Sequence, residues 1–144
     1  MSADQYNSAV HLDRPTEPSR NLRRWWGAVT VVLVAAVFTE AVFAGAMLSG
    51  AAWARAAHRL GALGLVGAAV AVGLIAVVTL RRIAHGLKLG LTLLALSAAL
   101  LVQMVLGAAS AHGANLLWLH VPLGVALVGL AGQAAASARG LGGN

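Results

Sequence analysis

Long apolar runs separated by short polar segments divide the chain. The apolar runs cover about residues 25–49, 56–80, 87–109 and 115–136. Each run holds roughly 20 or more residues, enough for a helix rising ~1.5 Å per residue to cross the ~30 Å hydrocarbon layer of a bilayer. The connections between the runs are short, and short connections favour antiparallel neighbours. The pattern predicts an all-α membrane protein whose four transmembrane helices form an antiparallel up-down bundle.

The segments outside the apolar runs predict little folded structure beyond the membrane. Residues 1–24 are polar, contain Pro15 and Pro18, and end in closely spaced arginines. We expect these residues to form a disordered or surface-lying cytoplasmic tail. The bundle then occupies residues 25–139, and residues 140–144 form a short C-terminal tail.

Composition agrees with a membrane protein and narrows the chemistry. Of the 144 residues, 60% are hydrophobic and 10% are charged, which leaves too little charge to cover a soluble domain. The chain has no cysteine, which excludes disulfides, thiolate metal sites and cysteine nucleophiles. The net charge of +6 comes from cations that flank the apolar runs, as in proteins oriented by a membrane. We therefore expect the lipid bilayer as a partner and no nucleic acid.

The distribution of these cations predicts an orientation. Arginines and lysines lie in the tail, in the connection between the second and third runs, and at the C-terminus. The connection between the third and fourth runs has none, and Arg55 and Arg59 lie at the start of the second helix. Because cationic segments stay in the cytoplasm, both termini are expected there, in a multi-pass protein of the cytoplasmic (inner) membrane. The tryptophans fall near the expected interfaces: Trp25, Trp26, Trp53 and Trp118.

The five histidines divide into two groups. His11 in the tail and His85 in the basic connection are expected to be solvated. His112 lies in an outer connection, where it is either a surface residue or a proton-exchanging group near a site. His58 and His120 lie inside apolar runs, at similar depths near the outer ends of the second and fourth helices. Ionisable side chains inside a membrane are rare and usually functional.

His58 and His120 suggest a heme. In a cyclic bundle the second and fourth helices are diagonal partners, and two opposed imidazoles can ligate a heme iron from both sides. Gly61, Ala62 and Gly124 are small enough to leave space for a flat macrocycle beside the ligands. Arg55 and Arg59 are placed to pair with heme propionates. The alternative is that each histidine hydrogen-bonds across helices and that the small residues permit close packing.

Three further polar or conformationally special residues lie within the apolar runs. Glu40 lies near the middle of the first helix, where a carboxylate is costly unless it is protonated or paired. It is a candidate for a proton-relay group, a quinone contact or a contact with a neighbouring subunit. Alternatively, it is a neutral residue bonded to a backbone carbonyl or to Gln103. Gln103 is expected to make a polar contact inside the bundle, and Pro122 to kink the fourth helix near His120.

A family resemblance involves the same residues. Residues 57–63 read AHRLGAL, residues 102–108 read VQMVLGA, and His120 follows in the last helix. This order resembles one repeat of the heme A synthase family, whose members resemble a duplicated four-helix bundle with histidines in the second and fourth helices of each half. The resemblance implies heme ligation by His58 and His120, with Gln103 inside the same bundle.

The chain also departs from that family. The catalytic half of the family has a glutamate three residues before the first histidine, where this chain has Arg55. The cysteine pair of the outward loop is missing, and there is one repeat where family members usually have two. The chain is therefore closer to the half that holds a b-type heme as a cofactor.

Three functions follow as expectations. The first is a membrane b-type cytochrome with a bis-histidine heme b near the outer face. It would transfer electrons with a quinol or serve a larger redox complex as an accessory subunit, and it could act as a homo-oligomer. The second is a single-repeat heme A synthase-like enzyme. The third is a heme-free structural subunit of a membrane complex.

Overall fold

Four long helices make up the described part of the protein. The computed structural model describes residues 19–141. Its helices are α1 (Arg20–Leu48), α2 (Ala54–Leu80), α3 (Gly86–Ala111) and α4 (Leu117–Arg139). All four are long and apolar enough to cross a membrane. The predicted all-α membrane fold is confirmed.

The helix bounds differ from the prediction mainly at the start of α1. This helix begins at Arg20, five residues earlier than predicted, because the Ser19 side chain accepts a hydrogen bond from the Leu22 N–H at 3.2 Å and so caps it. Residues 20–24, assigned to the tail by the sequence pattern, are therefore helical. The rest of the predicted tail, residues 1–18, lies outside the described residues, as do residues 142–144.

The helices are arranged in a ring. α1 contacts α2 and α4, and α3 contacts α2 and α4. Within residues 19–141 the Cα atoms of the diagonal pairs α1–α3 and α2–α4 stay more than 8 Å apart. This is the cyclic antiparallel arrangement that the short connections predict, and it places α2 and α4 opposite each other across the centre.

Glycines allow α2 and α3 to approach closely next to their connection. A Cβ atom at Gly90 would lie 2.8 Å from the backbone nitrogen of Val77, and one at Gly73 would lie 3.2 Å from that of Leu94. His85, just before α3, has a φ of 60° and turns the chain in the left-handed conformation. The α2–α3 hairpin is therefore packed backbone to backbone at this end.

The core fills only one half of the bundle. No residue of α1 after Val37, of α3 after Leu100 or of α4 before Leu127 is buried, and in α2 only Ala54 is buried before Leu65. We call the half near the α2–α3 connection the closed half. It contains all of the buried residues except Ala54. The remainder, residues 38–48, 54–64, 101–111 and 117–126, is the open half.

Trp26 lies in the closed half and corrects one expectation. Its side chain is 3% exposed and belongs to the core cluster, whereas Trp25, Trp53 and Trp118 are largely exposed, as interfacial tryptophans are. The hydroxyl of Thr30 beside it donates to the Trp26 carbonyl at 2.9 Å. The polar group of Thr30 is thus satisfied within its own helix, and the closed half remains an apolar core.

Candidate functional site

A cavity of about 550 Å³ lies mainly in the open half and extends to core residues such as Val37 and Leu127, and all four helices contribute to its wall. Its volume lies within the range of ~300–1,000 Å³ that is common for small-molecule sites. The wall is apolar except for four side chains, one from each helix: Glu40, His58, Gln103 and His120. An apolar cavity with a few convergent polar groups has the usual composition of a ligand site.

The cavity is open to the surface along α1 and α4. Its wall includes Phe38 and Leu48 from α1 and Val121 and Val125 from α4, and each of these side chains is more than half exposed. In a bilayer this side of the bundle faces lipid. A hydrophobic molecule can therefore reach the cavity from the membrane.

His58 and Glu40 meet inside the cavity. His58 Nδ1 lies 2.8 Å from Glu40 Oε2, and the side chains are 23% and 13% exposed. The contact has the distance of an ion pair but lacks the alignment of a hydrogen bond. Both buried atoms thus have no hydrogen-bond partner among the described residues. One of the alternatives for Glu40 was a bond to a backbone carbonyl or to Gln103, and the structure pairs it with a histidine of the neighbouring helix instead.

Gly61 makes room for Glu40. A Cβ atom at Gly61 would overlap Glu40 Oε1, so the carboxylate lies directly on the backbone of α2. The space that the missing side chain leaves at Gly61 is thus filled by a carboxylate in the structure. Ala62 and Gly124, the other small residues of the prediction, do line the cavity.

His120 is fixed by α3. Its Nδ1 lies 3.0 Å from the backbone oxygen of Gln103, and the Gln103 side-chain amide donates to the His120 backbone oxygen at 2.8 Å. The ring also lies on Gly107, where a Cβ atom would come within 2.9 Å of His120 Cε1. Because a carbonyl oxygen only accepts, this contact requires the hydrogen on Nδ1 and leaves Nε2 as the unprotonated nitrogen of the neutral ring. The Gln103 side-chain nitrogen lies 3.5 Å from this Nε2.

Both histidines thus use Nδ1 for a protein contact. Histidines that ligate a metal usually donate their other ring N–H to a carboxylate or a backbone carbonyl, which fixes the ring and its tautomer. The Gln103 carbonyl takes this place for His120, and the Glu40 carboxylate lies beside His58 Nδ1 at 2.8 Å without the alignment of a hydrogen bond. His120 Nε2 lies 3.5 Å from the Gln103 side-chain nitrogen, so a ligand there would compete with that contact.

The arginines of the sequence prediction are not part of this cavity. Arg55 and Arg59 are exposed and line a separate hollow on the surface of α2, together with Leu60 and Leu63. The expected pairing of these arginines with heme propionates at the outer end stays a prediction. His112, at the exposed C-terminus of α3, does not line the cavity either.

Two features of the site were not found from sequence. The contact between Gly107 and His120 could have been inferred, because Gln103 and Gly107 are four residues apart and hence lie on the same face of α3. The Glu40–His58 pair had no comparable signal, because its residues lie on different helices. Among residues 19–141 no group of three or more His, Asp or Glu residues is placed to hold a bare metal ion.

No protein-family model, curated protein or solved structure matches this chain. The functional interpretation accordingly depends on the cavity and its four polar side chains.

Proposed function

We propose that the cavity binds one heme b, with His58 and His120 as axial ligands. The observation behind this proposal is the placement of two imidazoles on diagonal helices in the wall of one apolar cavity, each with its Nδ1 turned to a protein oxygen. Two histidines are all that an iron needs from the protein when a porphyrin supplies the other four ligands.

The shape and composition of the site fit this cofactor. The cavity is largely apolar, has a volume of about 550 Å³, and is lined on α1 and α4 by side chains that are partly exposed. Covalent attachment of c-type heme uses cysteines, which this chain lacks, so a bound heme would be held without thioether bonds, as heme b is. A bis-histidine iron has no open coordination position, and its chemistry is electron transfer.

Each polar residue then has a defined task. Gln103 and Gly107 hold the His120 ring at a fixed height and orientation, and Glu40 orients the His58 ring. The orphaned Oε1 of Gln103, which has no hydrogen-bond partner among the described residues, lies in the same wall. Ala62 and Gly124 provide the flat parts of the wall.

The distribution of cations supports a site near the outer face of the cytoplasmic membrane. The described cations outside α2 all lie at the closed end of the bundle, at positions 20, 23, 24, 81, 82, 88 and 139. Cationic segments remain in the cytoplasm, so both termini belong there and the open half belongs in the outer leaflet. One heme in one leaflet needs an electron partner. A quinol, a larger redox complex or a homo-oligomer supplies it in this proposal.

One observation favours a second candidate, a heme A synthase-like enzyme. The glutamate that the catalytic half of that family has three residues before its first histidine is replaced by Arg55, yet Glu40 brings a carboxylate to His58 from α1. Co-expression with a source of heme O discriminates the two functions. Accumulation of heme A would indicate the enzyme, whereas unchanged heme O would favour the cytochrome.

The test of the heme proposal is spectroscopic. The protein is purified in mild detergent, and absorption spectra are recorded in the oxidised and dithionite-reduced states, with a pyridine hemochrome assay. We expect a sharp low-spin b-type α band that is lost in both His58→Ala and His120→Ala, and retained in His112→Ala. A colourless protein that takes up no added heme would refute the proposal and leave a heme-free structural subunit.

A further inference from the structure

We propose that a hollow on the surface of α2 binds one anionic phospholipid, with Arg55 and Arg59 holding its phosphate group. The hollow has a volume of about 500 Å³. None of the residues that line it lines the cavity of the candidate heme site. The inference therefore goes beyond the proposed function and does not depend on whether the protein binds heme.

The residues of the hollow lie on one face of α2 and of the turn before it. They are Ala52, Arg55, Ala56, Arg59, Leu60 and Leu63. They recur at intervals of three or four residues, which places them on the same side of a helix, and all of them are exposed. His58, which lines the cavity, is rotated by about 100° from Arg59. This face of α2 therefore points away from the other helices, towards lipid.

Polar and apolar side chains are separated along the hollow. Arg55 is the second residue of α2, and Arg59 lies ~6 Å further along the helix axis. Leu60 and Leu63 follow, and both side chains are more than half exposed. A phospholipid has the same order, with a charged headgroup at the membrane surface and acyl chains below it. The hollow therefore matches an amphiphile better than a soluble anion.

Trp53 marks the level of the membrane surface at this end of the bundle. It directly precedes α2, its side chain is 61% exposed, and its ring packs edge-to-face on Phe43 of α1 with centroids 6.0 Å apart. Exposed tryptophans of membrane proteins lie at the level of the lipid headgroups. Arg55 and Arg59, within two turns of Trp53, thus lie at the depth of the lipid phosphates.

The charges of Arg55 and Arg59 have no counter-ion in the described part of the chain. Its only acidic residue is Glu40, which contacts His58 in the cavity. The other arginines and lysines of residues 19–141 lie at the opposite end of the bundle. A cation in the first turn of a helix is also disfavoured by the helix dipole, and the first turn of α2 has no acidic residue. An anion from outside the chain would compensate both effects.

A phosphodiester is the anion that two arginines at this depth would meet. Guanidinium groups bind phosphate oxygens with paired hydrogen bonds, and the two side chains are one helical turn apart. A zwitterionic lipid brings an ammonium group beside its phosphate, whereas an anionic lipid adds no positive charge. Each arginine near an anionic lipid contributes a factor of about five in affinity. We expect the site to favour an anionic over a zwitterionic lipid by roughly 5- to 30-fold.

Fluorescence quenching by spin-labelled lipids tests the site in phosphatidylcholine vesicles. The chain has no cysteine, so Gly67→Cys provides a single position for a bimane fluorophore. Gly67 is exposed, has no atom within 4 Å of an added Cβ, and lies ~12 Å beyond Arg59 along α2, beside the path of an acyl chain. Phosphatidylglycerol and phosphatidylcholine with the same nitroxide-labelled acyl chain are compared as quenchers. We expect phosphatidylglycerol to reach half-maximal quenching at a roughly 5- to 30-fold lower mole fraction.

Control variants locate the effect at the arginines. In Arg55→Gln/Arg59→Gln the preference should disappear, and each single substitution should weaken it. Arg81→Gln/Arg82→Gln removes the same charge at the opposite end of the bundle and should retain the preference. A bimane on Ala98→Cys reports on an exposed position of α3, at the same number of residues from its helix end as the first probe. It should show no preference between the two lipids.

The inference is overturned if the two lipids quench position 67 equally, if the preference survives Arg55→Gln/Arg59→Gln, or if position 98 shows the same preference. Inorganic phosphate added at constant ionic strength should leave the preference unchanged, and its loss would assign the arginines to a soluble anion instead. Loss of the preference on loading with heme would assign them to heme propionates. Either of these losses overturns the lipid site, whereas persistence under both conditions supports it.

Discussion

Gln103 and His120 make reciprocal side chain-to-backbone contacts between α3 and α4. The side-chain amide of Gln103 donates to the backbone oxygen of His120 at 2.8 Å, and the imidazole of His120 lies 3.0 Å from the backbone oxygen of Gln103. Each residue thus uses its side chain to bind the main chain of the other. The imidazole is fixed relative to two helices rather than one.

Replacement of Gln103 tests the side-chain half of this interaction. Gln103→Leu removes the amide donor but leaves the backbone oxygen that faces His120, so we expect a loss of about 0.5–1.5 kcal/mol in stability. The measurement is unfolding in detergent. Gln133→Leu, at an exposed position of α4, is the matched control and should change stability by less than about 0.5 kcal/mol. Equal effects of the two substitutions would contradict the assignment.

The imidazole ring of His120 packs against the backbone of α3 at Gly107. A Cβ atom there would lie 2.9 Å from His120 Cε1, so Gly107→Ala should push the imidazole away from α3. We expect weaker heme retention and a broadened α band, measured by absorption after detergent washing. Gly64→Ala is the matched control, because a Cβ at Gly64 meets no atom within 4 Å. An unchanged spectrum in Gly107→Ala would mean that the ring position does not matter for heme binding.

Gly61 and Glu40 should be energetically coupled. Because a Cβ at Gly61 overlaps the Glu40 carboxylate, Gly61→Ala should destabilise the protein by about 1–3 kcal/mol. The same substitution should cost less in a Glu40→Ala background, where the obstacle is gone. A double-mutant cycle of unfolding measurements gives the coupling, expected at about 0.5–3 kcal/mol. Additive effects would show that the two residues do not touch.

The lack of cysteine allows a direct test of orientation. We introduce His112→Cys, at the end of α3, and Arg82→Cys, in the α2–α3 connection, separately into the otherwise cysteine-free chain. A membrane-impermeant maleimide should label the cysteine at position 112 in intact cells. It should label the cysteine at position 82 only after the cells are permeabilised. The opposite pattern would place the closed half in the outer leaflet and reverse the proposed topology.

The sequence predicted the parts of this structure that depend on one helix at a time. Apolar length located four helices, and the short connections implied their cyclic order. The depths of His58 and His120 along their helices followed from counting residues. These features need only the rise per residue and the cost of a polar group in lipid.

Features that depend on the rotation of one helix against another were not predicted. Whether Gly61 faces an open space or the Glu40 carboxylate is decided by the azimuth of α1 relative to α2, which a uniformly apolar surface does not encode. The same holds for Arg55 and Arg59, which were expected beside the ligand site and lie on a separate part of α2. Alanines and glycines are spread along α2 and α4, so the sequence also gave no sign that one half packs and the other opens.

The division into a closed and an open half separates folding from ligand chemistry along the membrane normal. Most side chains that hold the helices together lie in the closed half, and the four polar side chains of the cavity lie in the open half. Substitutions of cavity residues in the open half can therefore alter affinity or ligand preference at little risk to assembly of the bundle. Such a bundle tolerates sequence changes in the open half because the closed half maintains the packing of its helices.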